Sequence, residues 1–288
     1  MDYVGHLERE AAAFEAAARR AAGARAAPDV PSCPEWVVTE LVLHLGMVHR
    51  LVARVVGERM QQPPARGDRS WLRLAEEWAG WLPPGRAPRQ APVPAGLLDW
   101  FGAGAAQLAA CFRATEPGEQ VWTWSPDQSV GFWQRMQAIE AAVHGWDAEN
   151  ALGAAGPLDA ALAVDAIGQT FEVMVPMRRA MAQAPPGQGE RFAFRRTDGP
   201  GTWAVRFDGE AVRLGEDDSH DDRHDDSHDD RHDDSHDDGQ DDGPPGIQIS
   251  GTASDLALFL WQRPVTGRLD VRGESSLLER YFVLVPPV

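Results

Sequence analysis

Residues 134–150 read QRMQAIEAAVHGWDAEN, and their spacing says two things at once. Phe132, Met136, Ile139, Val143 and Trp146 recur at steps of four and three, which is the seam of a helix facing a core. Glu140 and His144 are separated by four positions, so a helix stacks them one turn apart on one face, at the edge of that seam. A carboxylate and an imidazole at the edge of a buried face cost free energy unless each finds a partner. A single metal ion would satisfy both.

Upstream, residues 32–58 read SCPEWVVTELVLHLGMVHRLVARVVGE. Proline favours the first helical turn, so a helix is predicted from about Pro34. Val37, Leu41, His44, Val48, Leu51 and Val55 repeat at four and three, which sets His44 into an otherwise aliphatic stripe. His49 falls off that stripe and is expected to face solvent or a helix flank. Further helices are predicted over 3–22 and about 94–114. The long Pro-, Arg- and Trp-rich connection of residues 61–94 has room for a short helix near 71–81. Four long helices with extended links point to a bundle, where metal sites are built from side chains on facing helices.

After Gly153 the pattern changes. Residues 158–184 read as one more helix, closed by Pro185 and Pro186. RFAFRRT, TWAVRF, EAVRLG, IQISG and LDVRG then alternate as strands do, and TASDLALFLWQRP before the last of them reads as a helix capped at Thr252 or Ser254. The expected fold class is therefore mixed, α followed by α/β: a helical bundle over 1–153, then a smaller α+β domain over 154–288. Residues 217–242 interrupt those strands with a repeating HDDS/HDDR tetrad that contains no apolar side chain, and they are expected to form a disordered loop insertion.

Composition sets limits on function. The 27 basic residues are all Arg, so lysine Schiff-base chemistry is excluded. Of the net charge of −17, residues 216–242 contribute −13 (one Glu and fourteen Asp against Arg223 and Arg231), leaving −4 for the rest. No basic patch argues for nucleic acid, and no apolar run is long enough to span a membrane. The N-terminus is a charged amphipathic segment without a signal core. Two cysteines, Cys33 and Cys111, make no disulfide framework and suit a reducing cytoplasm.

His44, Glu140 and His144 are the candidate metal ligands. Two histidines and a carboxylate suit catalytic Zn²⁺ with a fourth position open, and are compatible with non-haem Fe(II). For the neighbouring residues two readings stand side by side. Asp147, one turn beyond His144, orients a ligand or substrate group, or makes a surface cap or salt bridge. Trp36 and Trp146 wall a cofactor pocket, or are plain core. Arg263, past the end of its helix, binds a substrate carboxylate from a cleft between the domains, or complements a helix dipole. Cys33, in a turn beside Pro34, reads as a structural thiol. The five histidines of the tetrad tract lack fixed geometry and bind metal only adventitiously.

SCPEWVVTELVLHLG, VWTW and the stretch from Trp133 through RMQAIEAAVHGWDAE resemble the N-terminal domain of the maleylpyruvate isomerase family of mycothiol-dependent enzymes, and GTASDLALFLWQRP resembles that family's C-terminal domain. The resemblance implies a DinB-like four-helix bundle followed by a domain similar to sterol carrier proteins. It implies a divalent metal on His44, Glu140 and His144, mycothiol as the low-molecular-weight thiol, and a small electrophilic substrate. The reaction it implies is cis–trans isomerisation or S-transfer. The alternative is a non-catalytic metal- or small-molecule-binding protein on the same fold.

A charged loop without apolar residues contributes no packing, and loop-closure entropy depends weakly on length. Deleting residues 217–242 is therefore expected to leave Tm within about 3 °C of the full chain and thiol-dependent activity unchanged. A drop of 10 °C or more in a thermal melt would show that the tract is structural.

Overall fold

The computed structural model describes residues 1–65, 67, 69–82, 85–215 and 246–287; the tetrad tract lies outside them. Helix α1, Tyr3–Ala21, starts where the Asp2 carboxylate accepts the Gly5 N–H at 2.9 Å. It ends with Arg19 and Arg20, which complement the helix dipole and pair with Glu15, Asp99 and Glu149. Helix α2 spans Val38–Gly57. It begins four residues later than Pro34 suggests, because residues 29 and 37 form a β-bridge and the Glu40 carboxylate takes the Val37 N–H at 3.0 Å. The second oxygen of buried Glu40 accepts the Gly85 and Ala87 N–H groups, at 2.5 and 3.2 Å, so one carboxylate caps the helix and ties down a loop.

The predicted short helix of the connection is a 3₁₀ turn, Ser70–Leu72, followed by α3, Glu76–Ala79. Helix α4 covers Ala95–Arg113 and α5 covers Val130–Ala151, with Ser129 Oγ accepting the Phe132 N–H at 3.1 Å. The interior is closely packed. Phe14 and Phe101 meet with ring centroids 4.8 Å apart. The Trp100 ring lies over Gly46, where an added Cβ would stand 2.3 Å from it. Buried Arg50 stacks on that ring at 4.8 Å and donates to the Trp100 carbonyl at 2.8 Å, while the indole N–H reaches the Leu72 carbonyl at 2.8 Å.

The helix predicted over 158–184 is divided. Helix α6 is Ala160–Gln169, residues Thr170–Met174 form a π turn, and α7 is Val175–Ala182. Pro176 has no N–H to donate and its ring crowds the preceding turn, which is relieved by one wider turn. Strands β1 (Gly187–Arg196), β2 (Thr202–Gly209), β3 (Ala211–Gly215), β4 (Ile247–Gly251) and β5 (Asp270–Gly273) form a mixed sheet in the order β3-β2-β1-β4-β5. Among these five strands, only β1 and β4 pair in parallel, with Phe192 opposite Ile247. Helix α8 is Ala253–Leu260, entered through Thr252, whose Oγ1 accepts the Asp255 N–H at 3.1 Å. The sequence reading passed over α9, Ser276–Leu284, which places the Tyr281 ring 5.3 and 5.6 Å from those of Phe192 and Phe194. Two compact units result: Met1–Val173 with Ala257–Gly267, and Met174–Leu256 with Arg268–Val288.

His49 departs from expectation. It is 0% exposed, packed with its ring centroid 5.4 Å from that of Phe101, and among the described residues neither ring nitrogen has a hydrogen-bond partner. The stripe count failed because α2 is covered on more than one side, so a position off the aliphatic seam is still interior. Burial, opposed by Glu140 and reinforced by His44 and His144, pushes the His49 ring down to about 4. The unfolded chain takes up this proton first, so the stability contributed by neutral His49 is complete above about 6.5 and is lost as pH falls toward 4. At about 1.4 kcal/mol per pH unit the loss is roughly 3 kcal/mol. Urea unfolding of metal-free protein between pH 7 and 4 is expected to show a shallower pH slope for His49→Met than for the parent chain. Equal slopes would refute the assignment.

Candidate metal centre

Helix α5 is buried all round, because a polar stripe accompanies the apolar seam. Gln134, Gln137, Glu140, His144 and Asp147 follow at steps of three and four, and all five are buried. Opposite them on α2 stands His44. Its Nε2 lies 3.3 Å from Glu140 Oε1, and its ring centroid is 5.0 Å from that of His144, edge to face. One ligand atom from each of His44, Glu140 and His144 lies within 4.8 Å of the other two. The side chains of Glu140 and His144 are 12% and 9% exposed and that of His44 is 25%, so His44 is the most open of the three.

Glu140 and His144 are each held from behind. Gln137 Nε2 donates to Glu140 Oε2 at 2.8 Å. Burial alone would raise the Glu140 carboxyl, but the hydrogen bond and charge of His44, with His144 and Gln137, hold it down to about 2. His144 Nδ1 lies 2.9 Å from Asp147 Oδ2. Burial pushes the His144 ring below the usual histidine range, against the pull of Asp147. Asp147 is 0% exposed; burial would raise its carboxyl too, yet Arg263 and His144 keep it well below the usual range.

Two ligands about 2.0–2.1 Å from one tetrahedral ion stand roughly 3.3 Å apart, which is the His44–Glu140 separation. Two imidazoles and a carboxylate are ordinary zinc donors, and a group with these donors within 4.8 Å of one another could hold a divalent ion.

Of the other residues singled out in the sequence, Trp36 stands at the group, its ring centroid 5.2 Å from that of His44. Trp146 is buried, and two positions from His144 it points about 200° away around α5. Arg263 reaches Asp147 with Nε at 3.0 Å and with Nη2, while Nη1 donates to the Trp261 carbonyl at 2.6 Å. Two neighbours, Ser32 and Gln137, escaped the sequence reading; Cys33 was read there as a structural thiol. Ser32 Oγ donates to Asp147 Oδ1 at 2.6 Å, across 115 positions, and nothing local signals that contact. Gln137 carried a signal in its three-residue step to Glu140. Cys33 is near enough to Asp147 and Arg263 to feel both charges, and burial, with Asp147, raises its thiol above the usual range.

Comparison with known proteins follows the same lines. A family profile described as the mycothiol maleylpyruvate isomerase N-terminal domain matches residues 7–149. Two solved structures share the fold over 94% of this chain and 92% of theirs, at 11% identity. They are the mycothiol-dependent maleylpyruvate isomerase, at a TM-score of 0.56, and a histidine-to-alanine variant of it, at 0.55. No curated protein matches the chain significantly. Residues 7–149, which hold all three candidate ligands, are a mycothiol maleylpyruvate isomerase N-terminal domain.

Proposed function

We propose that this chain is a divalent-metal- and low-molecular-weight-thiol-dependent isomerase or S-transferase acting on a small electrophile in the cytoplasm. His44, Glu140 and His144 hold the metal, Zn²⁺ before other ions, and mycothiol is the thiol. The observation that carries the reading is the convergence of these three donors from α2 and α5, within 4.8 Å, inside the matched domain.

A bound divalent ion supplies Lewis acidity, which lowers the pKa of a thiol presented to it. The chain's own residues do the rest. His44 and His144 offer ring nitrogens, and Glu140 adds one negative charge that offsets part of the ion's. Gln137 fixes the Glu140 rotamer through Oε2, leaving Oε1 turned to His44. Trp36 covers the His44 ring and keeps one flank of the group apolar. With Oε1 committed to the ligand group, Glu140 is a ligand and not a proton shuttle. Two reaction outcomes share this apparatus: a thiol that adds to an activated double bond and leaves after rotation, or one that displaces a leaving group.

The chain lacking residues 217–242 is expected to bind about one Zn²⁺, and His44→Ala to lose affinity by more than the ~10–100-fold typical of outer-shell partners. Elemental analysis and chelator competition measure both. Full metal retention by both His44→Ala and His144→Ala would sink the ligand assignment. In Glu140→Gln, occupancy and mycothiol-dependent turnover are expected to fall together, with excess Zn²⁺ restoring part of the rate. A fully loaded but inactive Glu140→Gln preparation would make Glu140 a proton carrier instead. A parent chain that binds Zn²⁺ and converts no electrophile with mycothiol would be a binding protein on this fold.

A further inference from the structure

We propose that Asp147 is the positioning residue of the metal centre, and that Ser32 and Arg263 act through it to present His144 Nε2 to the ion. The proposal rests on the metal-ligand reading above. Its geometry, however, is visible without metal.

Asp147 sits one turn beyond His144 on α5 and is 0% exposed. Both its oxygens are doubly occupied. Oδ1 accepts Ser32 Oγ at 2.6 Å and Arg263 Nε at 3.0 Å; Oδ2 accepts Arg263 Nη2 and faces His144 Nδ1 at 2.9 Å. A carboxylate gripped on both oxygens by one guanidinium is an acceptor only. The group facing it at His144 must therefore donate, so Nδ1 carries the hydrogen and, in the neutral ring, Nε2 keeps its lone pair. That is the tautomer a metal needs at Nε2, and the carboxylate also fixes the ring plane and raises the basicity of the ligand nitrogen.

Three distant parts of the chain converge on this carboxylate: the turn before α2, α5 itself, and the turn after α8. Each Arg263 nitrogen already has an acceptor within the first unit, two on Asp147 and one on the Trp261 carbonyl. The Arg263 side chain is 10% exposed. Its geometry is that of a residue acting through another, not of an open hand for a substrate carboxylate. Arg suits the place because its fork meets both oxygens at once, which the point charge of Lys does not.

Two readouts test this. The first is His144 itself, observed by long-range ¹H–¹⁵N NMR in metal-free protein with labelled histidine. The parent chain is expected to show the Nδ1–H tautomer; in Asp147→Asn the amide can turn either group to the ring, and that tautomer is expected to be lost or mixed. The second is the Zn²⁺ Kd from chelator competition. Asp147→Asn is expected to weaken binding ~10–100-fold, Ser32→Ala a few-fold, and Arg263→Lys less than Arg263→Met. Ser32→Ala removes one hydrogen bond from a folded loop, so it remains informative if Asp147→Asn does not fold. An Nε2–H tautomer in the parent chain would overturn the proposal. So would Zn²⁺ affinities within two-fold of the parent in Ser32→Ala and both Arg263 variants. A parent chain with the Nδ1–H tautomer but no Zn²⁺ affinity would leave the positioning intact and defeat the metal reading alone.

Discussion

Helix α5 carries two carboxylates into the interior, and the arrangement around them follows from that. Glu140 and Asp147 are seven positions apart, two turns, and so share one face. Leaving a buried carboxylate unpaired costs several kcal/mol. The chain meets that cost by bringing cationic or donor groups from elsewhere: His44 from α2 and Gln137 from the preceding turn to Glu140, and His144, Ser32 and Arg263 to Asp147. Removing one partner would not merely delete a contact; it would strand a charge. This couples the position of α2, the turn before it and the segment after α8 to a single helix, and makes the metal group and the packing of the first unit one problem.

The parts of this arrangement that were legible in the sequence are the parts encoded locally. Helical spacing alone stacks Glu140 on His144, and the aliphatic stripe of α2 sets His44 against them. Asp147 was visible as the residue one turn on. Partners supplied through the fold were not visible. Ser32 is 115 positions from Asp147 and Arg263 is 116, and no periodicity links either to it. His49 was misplaced for a related reason: a stripe shows which side of a helix is apolar, not how many sides the tertiary structure covers. The polar residues Gln134 and Gln137 hide the same fact, since a helix that is polar on one side in sequence is here interior on that side too.

In the second unit, strand alternation was easy to read and element boundaries were not. Pro176 sits inside what looked like one helix, and the backbone accommodates it with a π turn rather than a stop. The β-strands were found by their alternation, but the pairing of β1 with β4, non-consecutive and parallel, is a property of topology. At 11% identity to the solved isomerases, the same architecture is kept with almost all side chains changed.

The division of the first unit between residues up to Val173 and the segment Ala257–Gly267 has a consequence for biosynthesis. A ribosome delivers Asp147 long before Arg263. At about 5–20 residues per second, the 116 positions between them take roughly 6–23 s. During that interval the chain can complete α1 to α5, yet the carboxylate on α5 still lacks its guanidinium. The nascent bundle therefore holds an incompletely neutralised charge until most of the second unit has been made. Burial of that face of α5 is in effect postponed, and the last turn of the chain to join the first unit acts as a timer for closing its centre.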